Sequence, residues 1–416
     1  MGVEMNRRTF LATTAVGAAK LGTAQSNEVP DAIKKLRPML DGVQPITDAE
    51  RRARIDKAQR LMRENKIDAI VLEGGSSMYY FSGTRWNQGE RLFALVIPAK
   101  GELAWVAQSA EEKRAHEAIK MGSDLRLAPD DEEAFKKIAQ VLKDRGAARV
   151  GIEERVRFGV FDGIRKEGPS LEFTSADPIS AGCRIIKSPA EIALLQRAND
   201  ITIEAYRSAL TTLREGMTQR DLTGNISAAF RGLGVSGGAM AIFGKYTAFP
   251  HGSIAPQQLH EGDFVLIDDG CSVEGYQSDI TRTVIFGKPS DRQRYVWDLE
   301  RKAQDAALAA AKVGAACESV DAAARGVITK GGFGPGYKVP GLPHRTGHGI
   351  GLDGHEWTNL VKGNKTKLQP GMCFSDEPTI AIYGEFGVRL EDCMYITESG
   401  AKMFTKQSPA IDQPFG

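Results

Sequence analysis

Four acidic side chains fall in two segments whose alternation suggests paired strands. The first, "FVLIDDGCSVEGYQSDITRTV", folds back as a hairpin about a turn centred between Val273 and Glu274, which sets Asp268 opposite Asp279. The second, "SDEPTIAIYGEFGVRLED", folds back about Gly384, which sets Glu377 opposite Glu391. Like charges facing each other across a ladder destabilise it. Burying them costs several kcal/mol per ion unless something compensates. A cation is the natural compensation, and two divalent ions would balance the four formal negative charges. An imidazole would add a neutral ligand, and an activated water between the ions would complete a hydrolytic centre.

Imidazole is concentrated where such a centre needs it. The chain has six histidines, and His344, His348 and His355 all lie in "HRTGHGIGLDGHE". One can be the ligand, with the others as proton carriers or oxyanion stabilisers. No Glu directly follows His344 or His348, so this is not the HExxH zinc pattern. Taken singly, each carboxylate is more ordinarily an exposed strand-end charge, and each histidine a hydrogen-bonded structural residue. A register slip of one residue would also reverse the faces.

These side chains need a scaffold. At 416 residues the chain is too long for one compact domain, so two are expected. From Asp48 to about Lys66 the pattern is an amphipathic helix, with Thr47 and Glu50 spaced as a capping box. "IDAIVLEG" reads as a buried strand, and "RLFALVIPAKGELAWVAQ" as two strands around Lys100-Gly101. "EEKRAHEAIK" and "EEAFKKIAQVLKDRG" are helical, and "ARVGIEE" is a further strand. Residues 46–183 are therefore expected to form a small α/β domain. Ser188-Pro189 then starts a long helix, with further helices at about 218–233 and 291–313. The strand-like runs after 260 are short and sequentially paired, which predicts an α+β domain over residues 184–416. "GGFGPG", Gly331 to Gly336, lacks the GK[ST] ending of a phosphate loop and reads as a connection.

Composition excludes several classes. The 54 basic and 53 acidic side chains leave a formal charge of +1, giving no electrostatic sign of nucleic acid or an acidic membrane surface. No apolar run reaches the twenty or so residues that span a bilayer. Cys183, Cys271, Cys317, Cys373 and Cys393 are scattered singly, so they read as buried small hydrophobes. The N-terminus, "NRRTFLATTAVGAAKLGTAQS", sets paired Arg7 and Arg8 before a short apolar run, with Gly22 and Ala24 as small residues for cleavage. It reads as a twin-arginine export signal over residues 1–25, with Lys20 a departure from the pattern, and it predicts a periplasmic or extracellular location; the alternative is a disordered basic tail on a cytoplasmic protein.

Together, "VLIDDGCSVEGYQSDITRT", "HRTGHGIGLDGHE", "DEPTI" and "GVRLED" resemble the creatinase/prolidase family, the pita-bread metallopeptidases that include Xaa-Pro dipeptidases and Xaa-Pro aminopeptidases. "RIIKSPAEIALLQRA" resembles that family's domain junction and "FPHGS" another active-site segment; the likeness runs from about residue 46 to 405. The resemblance implies a pita-bread C-terminal domain behind a smaller creatinase-like α/β domain. It implies two divalent ions held by Asp268, Asp279, His348, Glu377 and Glu391, with Asp279 and Glu391 bridging. Oxygen-rich ligation favours Mn²⁺, with Zn²⁺ or Co²⁺ as alternatives.

The resemblance also implies a reaction. Activated water attacks the carbonyl before proline, and Glu377 accepts its proton for the leaving nitrogen. His251 and His355 bind substrate and stabilise the transition state, while His344 and Arg389 support the site around the substrate. The implied partners are short proline-containing peptides and a second copy of the chain, as a homodimer. Two departures bear on substrate. "EPTIAIYG" lacks the glycine and aromatic that often follow Glu377-Pro378 in the family. No arginine stands before "LQPGM" to meet a substrate carboxylate, so Lys362, Lys365 or Lys367 would have to do so. Tyr79, Tyr80, Phe81 and Trp86 could line the pocket or belong to the core. The other readings are a metal-free creatinase-like hydrolase, which would not need five intact ligands, and a non-catalytic peptide-binding module on the same fold. The extra domain at 46–183 argues against a methionine aminopeptidase.

Overall fold

The structure is a computed structural model that describes residues 28–415, so the export signal expected at 1–25 lies outside the described residues. In the N-terminal domain a six-stranded sheet runs in the order Asp124–Ala128, Ala104–Gln108, Phe93–Pro98, Ala69–Glu73, Arg149–Ile152, Glu172–Ser175. The strand Ala69–Glu73 is buried along its whole length. It pairs antiparallel with Phe93–Pro98 and parallel with Arg149–Ile152. Its two faces have different partners, because side chains alternate along a strand. Ile70 and Leu72 pack with Ile55, Ala58 and Met62 of the helix Asp48–Glu64. Ala69 and Val71 pack with Ile138, Val141 and Leu142 of the helix Asp131–Asp144.

Tyr80, Phe81 and Trp86 are buried in the core and Tyr79 is half-buried beside it, which decides the choice between pocket and core that the sequence left open. The capping box at Thr47 is an expectation that changes. At the helix start, Thr47 accepts from the Glu50 amide at 3.2 Å. The reciprocal half of the capping box is missing because Glu50 is drawn away to Arg54 and to the Ser188 hydroxyl, at 2.8 and 2.7 Å.

The C-terminal domain is built from antiparallel strands and two packed helix pairs, Pro189–Leu210 with Gln219–Gly232 and Asp291–Ala310 with Cys317–Lys330. Ser188 makes a complete capping box with Glu191, and Pro189 follows it, so the long junction helix starts where its sequence says. A three-stranded sheet joins Met240–Phe243, Phe264–Asp268 and Arg282–Ile285, and a five-stranded sheet includes Gly347–Gly349, Cys373–Asp376 and Asp392–Thr397. Residues 331–336 form the connection after the helix Cys317–Lys330. All five cysteines are free and buried. Among the described residues no helix is long and apolar enough to cross a membrane.

A buried ion network joins the two domains beside His355. Arg184, at the end of the helix Asp177–Arg184, contacts Glu356 and lies 2.7 Å from Asp353. Lys187 meets the other Glu356 oxygen at 2.8 Å. Ser76 and Ser77 of the N-terminal domain hydrogen-bond Asp353 and Glu153, both at 2.7 Å. The loop that carries His355 is thus clamped by Arg184 and Lys187 at the junction and tied to the opposite domain through Ser76.

Burial alone would raise the Glu356 pKa, but Arg184 and Lys187 overcome it and bring the carboxyl down to about 2. A depressed carboxylate stabilises the fold above its ordinary value of 4.5, and that stability is lost as pH falls through about 2. Glu356→Gln should therefore cost about 3 kcal/mol at neutral pH. The deficit should shrink as the pH is lowered toward 2.5. Urea melts of both proteins at pH 7, 4 and 2.5 check this, and a deficit independent of pH would count against the network.

Candidate metal centre

The first hairpin turns one residue later than its sequence suggests. Glu274 and Gly275 both have left-handed backbones, with φ of 51° and 88°, as a two-residue primed turn requires. The ladder pairs Tyr276 with Val273 and Arg282 with Ile267. Continued, that register sets Asp268 beside Thr281 and Asp279 beside Gly270, so the expected direct pairing of Asp268 with Asp279 is corrected. The offset is two residues, which preserves the faces, so both carboxylates still reach one cluster.

The second hairpin has the expected register. Thr379 pairs with Arg389 and Asp376 with Asp392, so Glu377 and Glu391 lie opposite each other between the two ladders. They do not bond to one another there. The Glu377 amide donates to the Thr346 carbonyl at 2.8 Å and the Glu391 amide to the Thr281 carbonyl at 3.1 Å. Pro378 carries no N–H, and the strand breaks around it.

His348 enters the cluster from the short strand Gly347–Gly349. A Cβ on Gly347 would lie 2.1 Å from the Ser375 carbonyl, and one on Gly349 would lie 2.5 Å from that of Trp357. Only glycine on both sides lets this segment press between its neighbours. His348 Nδ1 faces the Gly349 carbonyl at 3.1 Å and must donate to it. Nε2 lies 3.1 Å from Glu377 and 3.6 Å from Asp279; without a metal its proton meets Glu377, and a bound cation would take its lone pair instead.

Three donor groups result, each with its ligand atoms within 4.8 Å of one another: Asp268 with Asp279 and Glu391, His348 with Glu377 and Glu391, and Asp279 with His348 and His355. Asp279, Glu391 and His348 each belong to two groups, and of these only the two carboxylates have a second oxygen to offer a second ion. Burial, then repulsion from Asp268 and Glu377, holds the Asp279 carboxyl well above the usual range. Burial and Asp279 do the same to Glu391. Glu377 is the exception. Burial would raise it, but the hydrogen bond and charge of His348 bring it to about 2. Glu391 Oε1 is buried without a hydrogen-bond partner, whereas Oε2 meets Thr281. An orphaned oxygen in a crowded carboxylate cluster fits a cation and is costly without one.

Arg389 and Thr281 brace this cluster. Arg389 is buried and spends its three donor edges within the protein. It contacts Asp268, donates to Thr281 Oγ1 at 3.0 Å and reaches the Pro250 carbonyl at 3.1 Å. Thr281 Oγ1 lies 2.8 Å from Asp268 and 2.7 Å from Glu391, one of which takes its proton. Sequence reasoning missed Thr281, although it follows Asp279 by two residues and so shares its face. His344 is also committed: Nδ1 donates to the Arg345 carbonyl at 2.7 Å, and Nε2 accepts from Thr379 at 3.0 Å.

The cluster opens into a cleft of about 500 Å³ whose lining includes His251, His344, Arg345, His348 and His355. His251 and His355 are exposed to it. His355 lies edge-on to His348 at 4.1 Å. Burial, with the charges of His348 and Arg345, lowers its pKa to about 4, so it is neutral at physiological pH. Lys362, Lys365 and Lys367 do not line the cleft, and Lys365 is engaged by Glu318 on the surface. The expectation that a lysine meets the substrate carboxylate is corrected.

Residues 193–398 match the family model for metallopeptidase family M24, and residues 54–186 match the creatinase/prolidase N-terminal domain. The chain belongs to metallopeptidase family M24. It is 34% identical to an Xaa-Pro dipeptidase of Lactobacillus helveticus, over 84% of this chain and 96% of that one. It is 32% identical to an Xaa-Pro dipeptidase of Pyrococcus furiosus, over 85% and 97%. Among solved structures it resembles recombinant prolidase from Thermococcus sibiricus, with a TM-score of 0.79 and 30% identity over 87% of this chain and 98% of that one. The metallopeptidase thus has the pita-bread domain and smaller α/β domain that its motifs imply, and its family implies divalent metal ions.

Asp279 and Glu391 have raised pKa values, so the metal-free fold loses stability as pH rises above the ordinary carboxylate range. Asp279→Asn and Glu391→Gln should leave the metal-free melting temperature unchanged or raise it by about 1–3 °C. Both should bind less metal than Asp268→Asn. Calorimetry of metal-free protein and elemental analysis after metal readdition check this, and two retained ions per chain in Asp279→Asn would contradict the shared placement of Asp279.

Proposed function

We propose that this metallopeptidase cleaves the peptide bond preceding proline in short peptides, with two ions held by Asp268, Asp279, His348, Glu377 and Glu391. The membership of the carboxylates Asp279 and Glu391 in two donor groups each carries this reading, since a carboxylate has two oxygens with which to serve both ions, whereas His348, also in two groups, has one ring nitrogen to offer. Asp268 serves one ion, and His348 with Glu377 the other. The names of the relatives support the substrate. Four carboxylates and one imidazole favour Mn²⁺, with Zn²⁺ and Co²⁺ as alternatives. Divalent ions bound there supply Lewis acidity, acidifying water and polarising the scissile carbonyl.

The side chains supply the rest. Glu377 is ionised and accepts a proton, which it returns to the departing proline nitrogen. His355, neutral and exposed to the cleft, donates a hydrogen bond to the oxygen that gains charge. His251, which also lines the cleft, positions the substrate. Arg389 and His344, both hydrogen-bonded within the protein, hold Asp268 and the Thr379 strand in register.

We also place the domain division at 183/184, after the last strand of the first sheet. The paired arginines support export by a twin-arginine route. Exposed Phe249, Trp357 and Tyr383, of which Phe249 and Trp357 lie near His251 and His355 in sequence, support a homodimer that covers this rim.

The metal-loaded enzyme should cleave Ala-Pro at least 10-fold faster than Ala-Ala, measured as kcat/KM. Equal values would defeat the proline reading. His355→Ala should lower kcat by about 10²–10³-fold, with metal content unchanged on elemental analysis. Loss of metal would mean that His355 is a ligand.

A further inference from the structure

We propose that Tyr206 is a positioning residue for the metal centre: its buried hydroxyl holds Asp269 in a strained backbone and so fixes Asp268 against Asp279. This rests on the ion placement proposed above and names what keeps those two carboxylates in register. Asp269 is a non-glycine residue with φ of 133°, a region that side chains with a Cβ rarely adopt. It stands directly after Asp268, the last residue of the strand Phe264–Asp268. The φ of a residue sets how the chain beyond it is turned relative to the chain before it. An ordinary φ here would swing the rest of the hairpin, Asp279 included, away from Asp268. Strain of this kind costs energy and persists only where the surroundings impose it.

Two donors impose it. The Tyr206 hydroxyl donates to the Asp269 carbonyl at 2.9 Å, and the Ile280 amide donates to the same oxygen at 3.1 Å. Tyr206 is fully buried. Burial, then the charges of Asp268 and Asp269, raises its pKa well above the ordinary value, so the hydroxyl keeps its proton and remains a donor. The phenol reaches the hairpin because its helix, Pro189–Leu210, packs along it. Ala198, Thr202 and Tyr206 stand four residues apart and so form one stripe. The Ala198 carbonyl accepts from Cys271 Sγ at 3.4 Å, and the Thr202 hydroxyl lies 2.8 Å from that of Ser278. The stripe thus holds Asp269 and Cys271 on one arm of the hairpin and Ser278, next to Asp279, on the other. Neither Tyr206 nor Asp269 lines the cleft, so an effect on chemistry has to pass through the carboxylates.

The test titrates chelator-stripped full-length protein with Mn²⁺ alone and follows binding by calorimetry. Wild type should take up two ions per chain, and Asp268→Asn identifies which binding step belongs to the ion that Asp268 serves. In Y206F that step should weaken on the order of 5–10-fold, while the other stays within about 2-fold of wild type. Asp269→Gly supplies the rescue, since glycine takes a positive φ without strain. In that background the same Y206F change should cost less than about 2-fold. A Y206F protein that melts at a lower temperature but binds both ions as wild type does would overturn the proposal, since the hydroxyl would then support the fold alone. So would an equal Y206F loss with and without Asp269→Gly. Fewer than two ions in wild type would defeat the ion placement and this role with it, whereas two equally tight ions in wild type and Y206F would defeat the role alone.

Discussion

The constraint on which this structure turns is the enforced proximity of like charges. Asp268, Asp279, Glu377 and Glu391 converge from two hairpins into one buried cluster, and in water-poor surroundings they repel each other strongly. The fold offsets part of that repulsion itself. Arg389 lies against Asp268, Thr281 hydrogen-bonds one carboxylate, and His348 draws Glu377 toward its charged form. Asp279 and Glu391 keep raised pKa values, and it is these two that a pair of cations would share. Destabilisation of the empty site and affinity for metal are two aspects of one arrangement.

A cluster under such repulsion holds its geometry only on a stiff frame. The frame repeats the same layering of charge further in. Asp376 faces Asp392 across the ladder, and Asp392 is held by a fully buried Arg282 at 2.7 Å. On the other side, Gly347 and Gly349 let a short strand press between its neighbours and deliver His348. The loop with His355 hangs from Asp353 and Glu356, which are clamped by Arg184 and Lys187 at the domain junction. Through Ser76 and Arg155 on Asp353, the N-terminal domain contributes to the catalytic face although, among the described residues, it lends no side chain to the cleft lining.

Much of this was legible in the sequence, for identifiable reasons. The junction helix begins at Ser188-Pro189 because cap and proline chemistry is local. The buried strand Ala69–Glu73 shows as an uninterrupted apolar run because both its faces are covered. Glu377 and Glu391 could be paired correctly because Gly384, with φ of 89°, marks the turn. The first hairpin was misread by one position because its turn has a non-glycine residue, Glu274, in the left-handed region. Half the Thr47 capping box was lost because Glu50 found tertiary partners in Arg54 and Ser188.

The sequence by itself determined the inventory: five donors of the right type, on strands of the right alternation, with glycines around the histidine that must enter. These are properties of residue identity and short-range spacing. Tertiary structure alone decided which charges are spent and which are free. Arg389 and Arg345 are indistinguishable as letters, yet one is consumed by Asp268, Thr281 and Pro250 while the other keeps a buried Nε without a partner. Tyr80, Phe81 and Trp86 became core and not pocket wall, and the lysines near 365 stayed outside the cleft. Whether a polar group is satisfied depends on partners tens to hundreds of residues away, and no local pattern encodes that.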